Sequence, residues 1–150
     1  MSRSFDFQFG LTEITPSKQS DGKEGQRIGV FKQLVSNQIT PQIKSANIFP
    51  SKKEIFISIL QFFAAKRDYE TRDVDNISKT VLDCLKGHLY VDDNQVRTLL
   101  VSKKISARVP TNFVFVGIRE LHGDTDVEIV KSTAMEQAVT LYQQSLKKDP

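Results

Sequence analysis

Phe5, Phe7 and Phe9 alternate with polar neighbours over residues 3–9, a period of two that predicts a half-buried strand. Residues 16–25, PSKQSDGKEG, are polar and rich in Gly, Pro and Ser, and predict a mobile loop. Over 27–46, Ile28, Phe31, Val35, Ile39 and Ile43 recur at spacings of three or four. This is a helical stripe, which Pro41 is expected to end, kink or restart. Residues 54–65, EIFISILQFFAA, combine β-branched and aromatic residues without Gly or Pro, the pattern of a central strand buried on both faces. KRDYETRD at 66–73 reads as a charged connection. Val74, Ile77, Val81, Leu82 and Leu85 fall on one helical stripe over 74–86, and Gly87 is a natural stop. Strands follow at 96–105 and 112–120, with Pro110 and Asn112 at the turn between them. Met135, Ala138, Val139, Tyr142 and Leu146 predict a closing helix over 132–147.

The resulting order, β-α-β-α-β-β-α, predicts an α+β fold with a mixed sheet covered on at least one face by helices. At 150 residues, 39% hydrophobic and 26% charged, the chain can bury a core as one domain, 1–150, with the last helix as an added element. Its longest apolar run is far short of a membrane span, and MSRSFDFQF lacks the apolar region of a signal peptide. Cys84 is the single cysteine, so no internal disulfide forms, and an intracellular, cytoplasmic protein is expected. No P-loop, Rossmann glycine fingerprint or GxSxG elbow is present.

Charge changes this picture. The net charge is +3, yet residues 72–96 hold five acids (Asp73, Asp75, Asp83, Asp92, Asp93) against three bases (Arg72, Lys79, Lys86). A basic protein favours a polyanionic partner, and here it gathers carboxylates in one stretch. Asp73 precedes the predicted helix, Asp75 lies in its first turn, and Lys79 and Asp83 continue that row. The strand that follows would run back beside the helix start and let side chains of both segments meet. Two carboxylates about 4 Å apart repel by roughly 4 kcal/mol at an effective dielectric of 20. A hard cation offsets that cost, and Mg²⁺ takes one or two carboxylates, water and substrate phosphate. Purely structural roles fit the same spacing. Asp73 would be a helix cap, Asp75 a partner of the helix dipole and of Lys79, and Asp92–Asn94 a turn. Spacing alone leaves both readings open.

The ordered pieces Arg72-Asp73-Val74-Asp75-Asn76, Lys79, Val81-Leu82-Asp83-Cys84-Leu85-Lys86-Gly87 and Tyr90-Val91-Asp92-Asp93-Asn94-Gln95-Val96 resemble the RusA family of Holliday junction resolvases. Its signature is D-x-D-N-x-x-K, then L-D-x-L, then D-D-x-Q. The resemblance implies a Mg²⁺-dependent endonuclease, with Mn²⁺ able to substitute, that cuts four-way DNA junctions as a homodimer in recombination and repair. It implies Asp73, Asp75 and Asp93 as catalytic metal ligands, Lys79 as the catalytic lysine, and Asp92 as an adjacent ligand. Asn76, Asp83 and Gln95 would support them from behind. LTEITPSKQSDGKEGQR shows no match to the family's Gly/Pro/Arg-rich segment, and the last helix looks like an addition.

Lys66, Arg67, Arg72, Lys103 and Lys104, with Arg97 and Arg108 beyond them, are expected to grip phosphates around the acidic stretch. The plainer account makes them a solvated charged surface. His88 and His122 lack a ligand-spaced partner. Cys84 falls on the apolar side as a buried thiol. Phe56, Phe62, Phe63, Phe113 and Phe115 are core candidates, although an exposed Phe also suits a wedge between base pairs. The leading expectation is therefore a junction-resolving nuclease with no membrane partner. Its rivals are a non-catalytic branched-DNA-binding protein and a metal-dependent phosphoesterase of small nucleotides.

Overall fold

The alternating apolar positions form four strands of one sheet in the computed structural model, which describes residues 5–17, 23–44, 46–122, 140–144 and 146. The chain divides into two compact units, Met1–Glu120 and Leu121–Pro150. The first holds β1 (Phe7–Leu11), α1 (Lys23–Ile43), β2 (Ile55–Phe62), α2 (Lys66–Thr71), α3 (Val74–Leu85), a 3-10 turn (Asp93–Gln95), β3 (Val96–Lys104) and β4 (Phe113–Glu120). The α+β class and the mixed sheet are as expected. In the second unit residues 140–144 and 146 are helical; the remainder of the helix expected at 132–147 lies outside the described residues. Residues 18–22 of the expected loop also lie outside them, and Lys23 already begins α1.

The strand order is β1-β4-β2-β3. β4 runs antiparallel to β1 and β2, while β2 and β3 are parallel. A parallel pair needs a crossover, and α2 with α3 supplies it. Register places Ile57 and Ile59 beside Ile118 and Val116 on one side and Leu99 and Val101 on the other. This face meets the stripes of the two long helices. Phe31, Val35 and Ile39 of α1, and Ile77, Val81 and Leu85 of α3, are all buried with it. Val74 is exposed instead: it shares that face of α3 but sits at the helix's first residue, beyond the packed turns.

Three local outcomes differ from the sequence pattern. Pro41 lies inside α1, where it forgoes the amide bond to the Asn37 carbonyl, and the helix ends two residues further on at Ile43. KRDYET is a helix, supported by a Lys66–Glu70 pair at 3.7 Å and by the Thr71 hydroxyl donating to the Arg67 carbonyl at 2.9 Å. The second face of β2 is only half-buried at Phe56, Leu60 and Phe62. These side chains share their face with Phe113 and Phe115, and Phe5 packs on Phe56 and Phe115 with ring centroids at 6.3 and 5.6 Å. A face covered by aromatic rings is as apolar in sequence as one covered by a helix, which is why EIFISILQFFAA reads as buried on both sides. At the end of α3, Gly87 takes φ +89°, the left-handed conformation that a helix stop requires.

Candidate active site

The acidic stretch begins where α3 begins. Asp73 is the N-cap, with extended backbone, and its carbonyl accepts the first helical bond from the Ile77 amide at 3.1 Å. Its carboxylate makes no capping hydrogen bond. Asp75 follows in the first turn, and Lys79 stands one turn further along; all three are exposed. Among the described residues no ion pair joins Lys79 to Asp75, and neither Asp73 nor Asp75 has a salt-bridge partner. The structural roles considered for Asp73 and for the Asp75–Lys79 pair are therefore not used. Two carboxylates and an ammonium remain directed at solvent.

A braced loop backs this helix start. Gln61, fully buried on β2, accepts from the Thr15 amide at 3.0 Å and from its hydroxyl at 2.7 Å, and donates to the Glu13 carbonyl at 2.9 Å. Thr80 of α3 donates its hydroxyl to the Pro16 carbonyl at 2.9 Å. The 13–17 segment is thereby tied to both sheet and helix. Asp73, Asn76 and Ile77 line a small cavity of about 20 Å³ with Thr15, Pro16 and Ser17. Asn76 thus stands beside Asp73. Gln61 and Thr15 had one sequence signal: a lone amide inside the apolar run ISILQFF needs buried partners.

The second acidic pair follows α3. Tyr90, buried, donates its hydroxyl to the Leu82 carbonyl at 2.7 Å and lies 3.4 Å from Asp93 Oδ1. Lys86 Nζ is 3.6 Å from Asp93 Oδ2. Burial first, and then the Asp93 charge, raise the Tyr90 phenol above its ordinary value of 10.0. Gln95 fixes the turn. Its Oε1 accepts from the amides of Val91 and Asp92, both at 2.8 Å, and its Nε2 donates to the carbonyls of Ser51 at 2.8 Å and Lys53 at 2.9 Å. All four of its hydrogen-bonding positions are filled.

Leu82 is seven residues beyond Asp75, about 10 Å along the helix axis at 1.5 Å per residue. Asp93 therefore sits by the C-terminal half of α3. Asp83 is exposed on that half of the helix as well. Among the described residues no group of three or more His, Cys, Asp or Glu side chains is close enough to hold one metal ion. Asp73 and Asn76 line one small cavity at the helix start, Asp75 and Lys79 stand exposed on the same helix, and Asp93 lies with Tyr90 and Lys86 by its other half. β3 does run back along α3 as the sequence suggested. What reaches the helix start is its far end, Lys103, whose ammonium donates to the carbonyls of Tyr69 at 2.7 Å and Arg72 at 2.9 Å.

The expected phosphate-gripping cations divide. Arg67 and Lys104 are exposed, as is Lys66 beside Glu70. Arg72 is half-buried, with Nη1 3.5 Å from the Thr15 carbonyl. Arg97 pairs with Glu54 at 2.5 Å. Beside the α2–α3 junction, Phe62, Tyr69, Lys103, Lys104, Ser106 and Arg108 line a cleft of about 750 Å³. His88 and Cys84 carry no ligand geometry, and Cys84 is buried in the core.

A mixed-sheet α+β unit whose crossover helix opens on two exposed carboxylates and a lysine, with cations around them, has the make-up of a nuclease. The chain belongs to the RusA family: the family model described as Endodeoxyribonuclease RusA matches residues 20–117. That span contains the whole 72–96 constellation and runs from the polar loop into β4. No curated protein sequence matches the chain. The family's activity is endonucleolytic cleavage of DNA at Holliday junctions.

Proposed function

We propose that this protein is a Mg²⁺-dependent endonuclease that resolves four-way DNA junctions in recombination and repair, acting as a homodimer. The observation that carries the proposal is the start of α3, where Asp73 occupies the cap position without capping and Asp75 and Lys79 stand exposed beside it. Two carboxylates with an amide neighbour, Asn76, form an all-oxygen donor set. It suits a Mg²⁺ ion that completes its shell with water and phosphate. When bound, Mg²⁺ supplies Lewis-acid polarisation of the phosphodiester and activation of water at neutral pH. The chain's own residues do the rest. Asp73 and Asp75 hold the cation, and Lys79 offsets the negative charge that grows on the phosphate in the transition state. Arg67 and Lys104 seat the DNA backbone. Two symmetric cuts in a four-way junction need two identical sites, which a two-fold dimer provides.

Asp93, the third carboxylate in the resemblance, shares the proposal as a metal ligand on the strength of that resemblance; in the structure its carboxylate lies with Lys86 and Tyr90. Its place two turns from Asp75 is also the observation that favours the rival reading, a branched-DNA-binding protein without catalysis. Asp75→Asn separates the two. The nuclease reading expects cleavage to vanish while junction binding is kept or tightened, since a charge facing phosphate is removed. Cleavage by the variant at the wild-type rate would overturn it.

A further inference from the structure

Lys103 lies on β3 opposite Gln61 of β2, on the sheet face that carries Leu99, Val101 and the helix layer; Lys104, one residue on, faces the other way. A lysine turned toward the core side must find partners for its ammonium. Lys103 finds them at one point in the chain. Its Nζ donates to the Tyr69 and Arg72 carbonyls at 2.7 and 2.9 Å and lies 4.8 Å from the centroid of the Tyr69 ring. Of three donors, two are therefore spent on carbonyls where α2 ends, and the aromatic face takes up part of the remaining charge. The second of these carbonyls belongs to the peptide that joins Arg72 to Asp73.

We infer that Lys103 is a positioning residue for the carboxylate pair and does not grip DNA. Resting on the nuclease reading above, the inference assigns it the task of holding the α2–α3 junction so that Asp73 and Asp75 present a fixed cation site. The ammonium ties the end of α2 to the edge strand and orients the Arg72–Asp73 peptide. Asp73 makes no side-chain capping bond of its own, and the backbone bonds on either side, Arg72 amide to Asp68 carbonyl and Ile77 amide to Asp73 carbonyl, stay within their own helices, so Lys103 is the described side chain that ties this junction to the sheet. A Lys→Met change keeps the length and apolar stem of the side chain and removes all three interactions. A phosphate contact and a junction clamp then make opposite predictions.

The test compares wild type, Lys103→Met and Lys103→Arg. Amide hydrogen exchange is read at Arg72 and Ile77, whose amides bond to the Asp68 and Asp73 carbonyls at 3.2 and 3.1 Å. Four-way-junction binding is measured without metal across a salt series, and Mg²⁺ is titrated in cleavage. For Lys103→Met, exchange at Arg72 and Ile77 should rise about tenfold or more, as for a local opening, while strand amides of β2 keep their protection. The Mg²⁺ concentration for half-maximal cleavage should rise, the metal-free affinity should stay within about twofold, and the salt slope should be unchanged. Lys103→Arg should recover part of the protection. The inference is overturned if Lys103→Met leaves exchange at Arg72 and Ile77 unchanged, or if its defect is a weaker metal-free complex with a salt slope lower by about one. Should Lys103→Met fail to fold, the same two readouts on Lys103→Arg decide: altered exchange with unchanged slope supports the clamp, and the reverse overturns it. The exchange arm holds even if wild type cuts no junction, so failure of the nuclease reading is recognised separately.

Discussion

Gln61→Leu is the most exacting test of how the loop behind the site is held. The leucine has nearly the same volume, so packing is conserved, but five polar groups lose a partner: the Thr15 amide and hydroxyl, and the carbonyls of Glu13, Phe62 and Phe113, the last two held by longer bonds of 3.2 and 3.3 Å. Glu13 is exposed, and its carbonyl can turn to water; Thr15 is buried, and its two donors cannot without moving the loop. At about 1–3 kcal/mol for each of the two buried Thr15 donors, the expected loss is roughly 2–6 kcal/mol. That is a large part of a stability of about 5–15 kcal/mol. For a unit of this size it lowers Tm by roughly 8–24 °C, read by circular dichroism or calorimetry. A cycle with Thr15→Val isolates the hydroxyl. The double variant should be more stable than the sum of the single losses predicts, with a coupling of about 1 kcal/mol. A Tm within about 3 °C of wild type for Gln61→Leu would refute the reasoning, because it would mean that the loop already satisfies Thr15 elsewhere.

Other outcomes follow from the same contacts. Asp93→Asn should raise the Mg²⁺ requirement for cleavage without lowering Tm, since the carboxylate is exposed and its described partners are the Lys86 ammonium and the Tyr90 hydroxyl; an unchanged Mg²⁺ titration removes Asp93 from the metal site. Tyr90→Phe should cost about 1 kcal/mol at neutral pH through loss of the 2.7 Å bond to Leu82. Because the folded-state pKa of Tyr90 is raised above 10.0, its contribution is fully present below that pH and is lost as pH rises beyond it. The wild-type advantage over Tyr90→Phe in denaturant melts should therefore shrink at strongly alkaline pH, and an advantage that grows there contradicts the assignment. Gly87→Ala meets no neighbouring atom, so its cost is that of φ +89° alone, about 1–2 kcal/mol in chemical denaturation.

Legibility from sequence followed the range of the interactions. The stripe Ile77, Val81, Leu85 is written at helical spacing, and Asp73, Asp75 and Lys79 are close neighbours, so the helix and its acidic start were readable directly. The strand patterns of β2, β3 and β4 were equally local. Lys103 was not readable in its role, because its carbonyl partners lie 31 and 34 residues earlier. In sequence it is one of two adjacent lysines, and only the parity of β3 sends one inward and the other to solvent. Gln61 reaches back 46 residues to Thr15. Asp93 was readable as part of the motif, but its position along α3 was not, because the Tyr90 and Gln95 bonds set it. Residues 66–71 read as a connection because six residues are too few to show a stripe, although their charge pair is local.

The measurement closest to the central claim uses wild-type protein and Asp75→Asn on a labelled synthetic four-way junction, beside linear duplex of the same sequence, with and without Mg²⁺. The account predicts paired symmetric nicks in the junction alone, with Mg²⁺ alone, and none from a variant that still binds it. Junction binding by wild type without cleavage in either Mg²⁺ or Mn²⁺ would contradict it and leave the carboxylates at the start of α3 without a catalytic role.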